Sequence, residues 1–336
     1  MGSVTHAGAN PSEEARWMAA AIALCARGRA LTGPNPNVGC VIVRARRVIG
    51  RGWTQLSGRP HAEAMAIAQA SSGGGDAKGA TAYVTLEPCA HQSARGAACA
   101  DSLIAAGLTR VVVALKDPDP RTHGAGLARL KAAGIAVETG VLASEASAAM
   151  AGWLKLRERG RPFITLKLAT SLDGCIARAN GESQWITGAP ARAHAHLERA
   201  RSSMILVGRG TLDADAPTLD VRLPGLESRT PARLVLTRGA APGGWQALAA
   251  PEQVYQLNAG DYLLVEGGAQ TAASFLKAGL VDRILLYRAP ILIGAGLAAL
   301  GDIGLDTLAA AHGRWRQTDR RTLGSDTLEV YDACLK

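Results

Sequence analysis

The chain has 336 residues, of which 48% are hydrophobic and 4% aromatic, and its formal net charge is +9. This length and apolar content predict a globular protein of two domains and exclude a disordered or fibrous chain. The charge suits nucleic acid, a membrane surface or anionic small molecules. Because aromatic residues are few and basic residues are scattered, we expect phosphorylated metabolites as partners and no nucleic acid.

The cysteines and the apolar runs predict where the protein works. Six cysteines without regular spacing indicate free thiols in a reducing compartment, so we expect a cytoplasmic protein without disulfides. The apolar stretch over residues 18–26 lacks a clean basic segment before it, which favours a helix over a signal peptide. No run is long enough to cross a bilayer, and no membrane partner is expected.

The first half alternates helices and strands. Residues 1–12 are small and polar, which is typical of a disordered terminus. The predicted elements that follow are a helix over 13–26, hairpin strands at 40–43 and 48–49, a helix over 61–70, a strand at 82–86, a helix over 99–106 and a strand at 111–114. This βαβ alternation predicts a parallel sheet flanked by helices.

Four residues of this half carry chemistry, and they lie in His61-Ala62-Glu63, in Glu87-Pro88-Cys89 and at Cys99. Imidazole and thiolate groups bind zinc, and three such ligands leave a fourth position for water. Zinc lowers the pKa of that water, and a carboxylate that is not a ligand can then carry protons. We therefore expect His61, Cys89 and Cys99 to bind zinc and Glu63 to be the catalytic proton carrier.

Cys89 has a predicted setting of its own, and the whole group has a structural alternative. Pro88 suits the first turn of a helix, so Cys89 is predicted to lie at a helix N-terminus, where a thiolate is favoured. The alternative is structural, since free cysteines are often buried apolar residues and a His-Ala-Glu sequence is common by chance. The order of the residues and the strand that leads into Cys89 favour the zinc site.

The second half is predicted to be another α/β domain. The chain is strongly charged over residues 153–162, so we place the boundary there, between a first domain over 13–152 and a second over 153–336. Its predicted strands lie at residues 163–169, 204–207, 233–236, 262–265, 283–287 and 291–293.

Glycines follow two of these strands, in Gly208-Arg209-Gly210-Thr211 and in Glu266-Gly267-Gly268. Such turns expose N–H groups to a phosphate at a helix start and suit a nucleotide cofactor. Either turn alone can equally be a simple loop. Several polar or aromatic residues of this half have a solvated surface as their default interpretation, namely Ser183, Trp185, Arg199, Asp215 and Arg222.

Taken together, these stretches resemble a known family. From about Glu13 onwards the chain is similar to the bifunctional deaminase/reductase family of riboflavin biosynthesis, whose first half is a cytidine-deaminase-like zinc domain. The stretches that carry the resemblance are residues 35–40 (NPNVGC), 60–63 (PHAE), 85–89 (TLEPC), 117–120 (DPDP), 166–169 (LKLA), 171–174 (SLDG), 181–187 (GESQWIT), Asp215 with Pro217 and Arg222, and 266–268 (EGG).

The resemblance implies a fold and two reactions. The fold is a three-layer α/β/α zinc domain followed by an α/β domain similar to dihydrofolate reductase. The first reaction is zinc-dependent hydrolytic deamination of a phosphoribosylated diaminopyrimidinone, and the second is reduction of its ribosyl group to ribityl by NADPH. Family members are commonly homo-oligomers, so the resemblance implies a homo-oligomer here.

The resemblance also implies roles for individual residues. The deaminase substrate would contact Asn35, His91 and Arg95. The reductase substrate would contact Ser183, Trp185, Arg199, Asp215, Arg222 and Glu266. The NADPH would contact Lys167, Thr187, Thr211, Gly267 and Gly268. The chain departs from the family's pattern at Thr54, where a histidine is usual, and over residues 92–98, where the loop before Cys99 is one residue longer and has no proline.

Two other functions remain open from the residues alone. A nucleic-acid-editing deaminase would use the same zinc site, but the few aromatics and the second half argue against it. The other alternative is a reductase whose first domain keeps only a structural zinc. Activity on the diaminopyrimidine distinguishes the bifunctional enzyme from this reductase.

Overall fold

The computed structural model describes residues 11–73, 75–91, 96–258 and 260–334. The chain divides into two compact units, and the division along the sequence lies between Arg159 and Gly160. The division follows a helix that opens at Ala151, whereas the sequence-based boundary lies inside the first turn of that helix. Of the predicted disordered terminus, residues 1–10 lie outside the described part, and Pro11 and Ser12 belong to the first helix.

The first unit is a sheet between two layers of helices. Its helices are α1 (Pro11–Cys25), α2 (Ala62–Ser72), α3 (Cys99–Ala105), α4 (Ala125–Ala132), α5 (Ala143–Ala149) and α6 (Ala151–Arg159). Its strands are β1 (Gly39–Arg44), β2 (Arg47–Trp53), β3 (Thr81–Leu86), β4 (Arg110–Leu115) and β5 (Ala136–Thr139). The order in the sheet is β2-β1-β3-β4-β5. Helices α1 and α5 contact one another, and α3 contacts both α2 and α4, so the helices form two groups.

The sheet of this unit is mixed rather than purely parallel. Strand β1 pairs antiparallel with β2 and β3, while β3, β4 and β5 run parallel. The predicted parallel sheet is therefore correct for the βαβ part only, because β1 and β2 are joined by a tight hairpin and hairpin strands must be antiparallel.

Close packing of α2 against the sheet depends on glycine. A Cβ on Gly52 of β2 would lie 2.1 Å from the Ala62 carbonyl oxygen, and one on Gly50 would lie 2.1 Å from the Ala66 carbonyl oxygen. The helix backbone therefore lies directly on β2, with Ala62, Ala66 and Ala70 buried beneath it. This contact fixes the start of α2, where the predicted zinc and proton-carrying residues are found.

The second unit contains an eight-stranded sheet. Its helices are α7 (Ala189–Ala200), α8 (Arg209–Asp215) and α9 (Ala269–Lys277). Its strands are β6 (Phe163–Thr170), β7 (Cys175–Ala177), β8 (Met204–Gly208), β9 (Ala232–Leu236), β10 (Gln246–Leu248), β11 (Tyr262–Val265), β12 (Arg283–Arg288), β13 (Leu297–Ala298), β14 (Trp315–Leu323) and β15 (Asp326–Ala333). The large sheet has the order β10-β9-β8-β11-β6-β12-β15-β14, and β7 pairs separately with β13.

Strand direction in this sheet sets the position of the second site. The strands from β10 to β12 run parallel, so the carboxyl ends of β6, β8 and β11 meet at one edge. The two glycine turns follow β8 and β11, which are adjacent. In parallel sheets this edge is the usual place for a bound ligand.

The C-terminal part of the second unit has other strands than those predicted from the sequence. Residues 291–293 were predicted to be a strand, but they lie in an irregular segment. The long antiparallel hairpin of β14 and β15 was missed, because β14 is mostly polar and exposed and has no apolar pattern of its own. In addition, no helix among the described residues is long and apolar enough to cross a membrane.

Candidate active sites

The predicted zinc ligands come together in the first unit. The Nδ1 atom of His61 lies 3.2 Å from the Cys99 sulfur and 3.8 Å from the Cys89 sulfur. Ligands of a tetrahedral zinc ion lie roughly 3.3–3.8 Å apart when the bonds have the usual lengths of about 2.0–2.3 Å. The one nitrogen and two sulfur donors, all within 4.8 Å of one another, therefore fit zinc.

Each ligand is held by a different local structure. His61 is the extended residue that precedes α2. Cys89 follows β3 in an irregular segment, and Cys99 is the first residue of α3. The prediction that Cys89 lies at a helix N-terminus is therefore wrong. The helix starts ten residues further on, at Cys99, whose backbone N–H donates to the Cys89 sulfur over 3.3 Å.

The two thiols have opposite pKa shifts. A hydrogen bond from the Cys99 thiol holds the pKa of Cys89 below its usual range, against the effect of burial. The same hydrogen bond, together with burial and the nearby Glu63 carboxylate, raises the pKa of Cys99. Without a metal, the pair therefore shares one proton, with Cys89 as the thiolate.

Glu63 lies in the first turn of α2 and is only 3% exposed. Burial raises the pKa of its carboxyl, whereas His61 acts in the opposite direction. Glu63 lines the same cavity as His61 and Cys89. The raised pKa allows the carboxyl to take up and release a proton nearer neutral pH, as a general acid–base group must.

The cavity beside the cluster has a volume of about 270 Å³. A water molecule occupies roughly 30 Å³, so there is room for a small organic molecule. Asn35 and His91, which were predicted to contact the deaminase substrate, line this cavity. Nδ2 of Asn35 lies 3.2 Å from Nε2 of His61 and donates to the Gly58 carbonyl. Arg95, the third predicted contact, lies outside the described residues.

The predicted reductase residues line a second cavity, in the second unit. Ser183, Trp185, Arg199, Asp215, Arg222 and Glu266 all lie on its wall. Three of the predicted cofactor residues, Lys167, Thr187 and Thr211, line the same cavity. The turns after β8 and β11 are linked there, because the Gly268 backbone N–H donates to the Thr211 hydroxyl over 3.2 Å.

Glu266 is the centre of an ionic network in this cavity. Arg199 donates to both carboxylate oxygens, over 2.8 and 2.9 Å, and the Lys167 ammonium lies 3.9 Å away. Burial would raise the pKa of Glu266, but the hydrogen bonds from Arg199 outweigh it and the pKa lies below its usual range. Glu266 is therefore ionised at neutral pH, and the Arg199 guanidinium is largely engaged by it.

Comparison with known proteins agrees with the division of the chain into two domains. Residues 11–115 match the family model for the cytidine and deoxycytidylate deaminase zinc-binding region, and residues 162–243 and 245–328 match the RibD C-terminal domain. The riboflavin biosynthesis protein RibD of Escherichia coli (strain K12) is 41% identical over 344 residues, which cover 88% of this chain and 93% of that protein. The RibD of Aquifex aeolicus (strain VF5) is 37% identical and covers 87% and 91%.

The chain belongs to the bifunctional RibD family of riboflavin biosynthesis.

Solved structures of the family support this over the whole fold. A deaminase/reductase from Thermotoga maritima matches with a TM-score of 0.87 and 30% identity, over 96% of this chain and 99% of that one. RibD from Acinetobacter baumannii matches with a TM-score of 0.83 and 35% identity, over 97% and 100%. The predicted family, fold class and pair of activities are thereby confirmed. This RibD-family chain is an enzyme with a zinc-dependent deaminase domain and an NADPH-dependent reductase domain.

Thr54 has a structural role in this chain. Its hydroxyl accepts a hydrogen bond from the Val38 backbone N–H over 3.0 Å. Thr54 is buried and lines the zinc-side cavity. This hydrogen bond therefore helps to fix the end of the loop that carries Asn35.

Two carboxylates near the cluster were missed as site residues. Asp117 lines the cavity, and burial raises its pKa to about 6. Glu87 accepts hydrogen bonds from the backbone N–H groups of Asp117, Gly124, Gly126 and Leu127. It therefore ties the start of α4 and the Asp117 segment to the end of β3. The acidic residues within 85–89 and 117–120 are the signal that could have identified both.

Proposed function

We propose that the chain catalyses two consecutive reactions on one phosphoribosylated pyrimidine. The first removes the 2-amino group of 2,5-diamino-6-(5-phosphoribosylamino)pyrimidin-4(3H)-one, and the second reduces the ribosyl group to ribityl with NADPH. The related Thermotoga protein is a diaminohydroxyphosphoribosylaminopyrimidine deaminase/5-amino-6-(5-phosphoribosylamino)uracil reductase. The observation that carries the proposal is the buried Glu63 carboxylate, which shares a cavity with His61 and Cys89 of the zinc cluster.

In the deaminase site, His61, Cys89 and Cys99 hold the zinc, and Glu63 is the catalytic residue. Bound zinc acts as a Lewis acid that brings the pKa of a water close to neutral. Glu63 accepts the two protons of the attacking water one after the other. It delivers the first to the ring nitrogen and the second to the leaving amine, which departs as ammonia while the water oxygen stays on the ring carbon. The raised pKa of the buried Glu63 carboxyl supports this shuttle.

The remaining deaminase contacts are polar side chains of the cavity. Asn35 and His91 hydrogen-bond the pyrimidine, and their positions on the cavity wall support this role. His91 Nδ1 lies 3.5 Å from the Thr122 hydroxyl, which orients its ring. Arg95 remains a proposed substrate contact on the strength of the family pattern.

In the reductase site, the proposed substrate residues are Ser183, Trp185, Arg199, Asp215, Arg222 and Glu266. Arg199 positions Glu266 through its two hydrogen bonds and also donates to the Asp220 carbonyl. Arg222 binds the substrate phosphate. Its side chain is 60% exposed, and its ion pair with Asp220 is a loose one, with Nε 3.4 Å from a carboxylate oxygen. Arginine is suited to this because its guanidinium forms forked hydrogen bonds with phosphate.

The NADPH is held by Lys167, Thr187, Thr211, Gly267 and Gly268. The linked glycine turns support a nucleotide at the carboxyl edge of β8 and β11, where backbone N–H groups and helix starts favour phosphate. Gly268 is the residue that precedes α9, and Gly208 precedes α8. NADPH bound here supplies the hydride, and the ionised Glu266 with Lys167 forms the polar wall that orients the sugar.

We further infer a cytoplasmic homo-oligomer. The six cysteines are all free, which suits a reducing compartment. Leu172, Leu292 and Leu308 of the second unit are 50%, 77% and 81% exposed, so they are available for burial between copies. Sedimentation analysis of the purified protein tests the oligomer, and a monomer at micromolar concentration would contradict it.

The test of the main proposal follows both reactions by mass. The purified zinc-loaded protein is incubated with the diaminopyrimidinone ribosyl phosphate, with and without NADPH. We expect exchange of the amine for oxygen in both samples and gain of two hydrogens only with NADPH. A protein that makes neither change and also fails to reduce separately supplied deaminated product would overturn the proposal. One that reduces only that product would favour a reductase with a structural zinc.

A further inference from the structure

The cavity beside the zinc cluster has arginines on its wall as well as the cluster residues. Arg59, Arg121 and Arg157 line it, along with Trp153. Arg121 donates to both oxygens of Asp119, over 3.0 Å from Nε and 2.5 Å from a terminal nitrogen, so its charge is largely neutralised. The guanidinium of Arg157 makes no ion pair with any residue in the described part of the chain.

Arg157 is held at the cavity by its own helix. It lies in the last turn of α6, four residues after Trp153, so the two side chains share one face of the helix. Its guanidinium carbon lies 5.6 Å from the centre of the Trp153 ring, which is buried. This stacking limits the positions of a long side chain and leaves the edges of the guanidinium available for hydrogen bonds.

The positive charge of Arg157 acts on the interior of the cavity. Hydrogen bonds from Arg121 are the main reason why the pKa of Asp119 lies below its usual range, and Arg157 adds to this lowering. Arg157 is therefore near the carboxylate that Arg121 already holds. An anion that enters the cavity meets two guanidiniums that already have partners, those of Arg59 and Arg121, and that of Arg157, which has no ion pair among the described residues.

We propose that Arg157 binds the phosphate of the deaminase substrate. The inference rests on the proposed function, since it takes the substrate to be a phosphoribosylated pyrimidine. Arg157 and Glu63 line the same cavity from two different helices, so Arg157 holds the phosphate end of the molecule while the ring lies beside Glu63. Forked hydrogen bonds from a guanidinium to a phosphate are strong and directional.

The test compares Arg157→Gln with wild type on two substrates, the phosphorylated pyrimidine and the same compound after phosphatase treatment. We expect KM of the deaminase for the phosphorylated substrate to rise roughly ten- to hundredfold, the range for loss of a charged hydrogen bond. Its kcat, and both constants for the dephosphorylated substrate, stay unchanged. Arg157→Lys recovers part of the loss, because lysine keeps the charge without the fork.

Arg159→Gln is the matched control, since Arg159 is exposed on the same helix and does not line the cavity. It should leave both substrates unaffected. The reductase KM for its own phosphorylated substrate is a second control, because Arg157 is absent from the wall of the reductase cavity. The proposal is overturned if Arg157→Gln changes the two substrates equally, or changes neither.

Binding of ribose 5-phosphate, measured by calorimetry, gives a readout that does not need turnover. If the wild type fails to deaminate the pyrimidine, the proposed function is wrong and this binding decides the phosphate site alone. Arg157→Gln should remove part of the binding heat of the wild type, and identical isotherms for the two proteins would overturn the inference.

Discussion

At the scale of single residues, Glu63 is the clearest link between burial and chemistry. A carboxylate on the surface would stay ionised and would be a weak proton donor at neutral pH. At 3% exposure, burial raises the pKa of Glu63, although the same burial is unfavourable for folding. Buried ionisable groups with shifted pKa values are concentrated at functional sites, where the cost in stability is retained for catalysis or binding.

The variant Glu63→Gln keeps the shape of the side chain and removes its ability to carry protons. We expect deaminase kcat to fall by about 10²–10⁴-fold, the usual contribution of general acid–base catalysis. Reduction of the separately supplied deaminated substrate should continue at the wild-type rate. Mass spectrometry follows the first reaction and NADPH absorbance the second. A variant that still deaminates at more than a tenth of the wild-type rate would exclude Glu63 as the proton carrier.

The proton shared by Cys89 and Cys99 predicts how zinc binding depends on pH. Because the pKa of Cys99 is raised, this thiol is protonated at neutral pH and must lose its proton when the metal binds. The zinc association constant should therefore increase about tenfold per pH unit between pH 6 and 8. Competition with a chromophoric chelator measures it. An affinity that does not change over this range would mean that both thiols are already ionised in the metal-free protein.

At the scale of secondary-structure elements, the start of α2 depends on how closely the helix lies on β2. The Ala62 carbonyl oxygen at the start of α2 occupies the space that a side chain at residue 52 would need. This approach brings His61 and Glu63 to the end of β3, where Cys89 begins the other half of the cluster. Glu87 similarly fixes the start of α4, because it accepts hydrogen bonds from the backbone N–H groups of Gly124, Gly126 and Leu127.

The variant Gly52→Ala tests this packing. The added methyl group would lie 2.1 Å from the Ala62 carbonyl oxygen, so the start of α2 must move. We expect at least a tenfold loss of zinc affinity and of deaminase kcat/KM, with reductase activity retained. The control is Gly73→Ala at the other end of α2, where the nearest atoms are 3.7 Å away. Equal behaviour of the two variants would show that helix placement does not control the site.

At the scale of the whole molecule, each unit has its own hydrophobic core and its own cavity. The second unit also has a buried ion pair close to its beginning. Arg161 donates to both oxygens of Asp282 over 2.6 and 3.0 Å, and both side chains are 8% exposed. Asp282 also accepts from the Ile164 backbone N–H, so it ties the start of β6 to the residue before β12.

The variant Asp282→Asn should destabilise the second unit alone. Breaking a buried pair leaves a charge without its partner and costs about 3–5 kcal/mol. We expect reductase activity to be lost at a lower denaturant concentration, while zinc release from the first unit keeps its wild-type midpoint. Asp302→Asn is the matched control, because its pair with Lys277 is exposed to solvent and contributes little to stability. A parallel shift of both midpoints would mean that the two units unfold together.

Some of this molecule could be predicted from the sequence because the signals are local. The spacing of apolar residues gave α1, α2 and the buried strands β3, β4 and β11, whose residues are almost all apolar. The C-terminal hairpin could not be found in this way. Strand β14 is polar along most of its length, so its place in the sheet depends on pairing with β15 and not on its own pattern.

The sequence by itself determined the chemistry of the protein, because His61, Glu63, Cys89 and Cys99 are defined by residue type and order. It also determined the family, through motifs in both halves. Only the tertiary structure decided which groups are near one another. The proton shared between the two thiols, the engagement of Arg199 by Glu266 and the position of Arg157 at the zinc-side cavity all depend on contacts between residues far apart in the chain. Such contacts set burial and charge, and no local pattern encodes them.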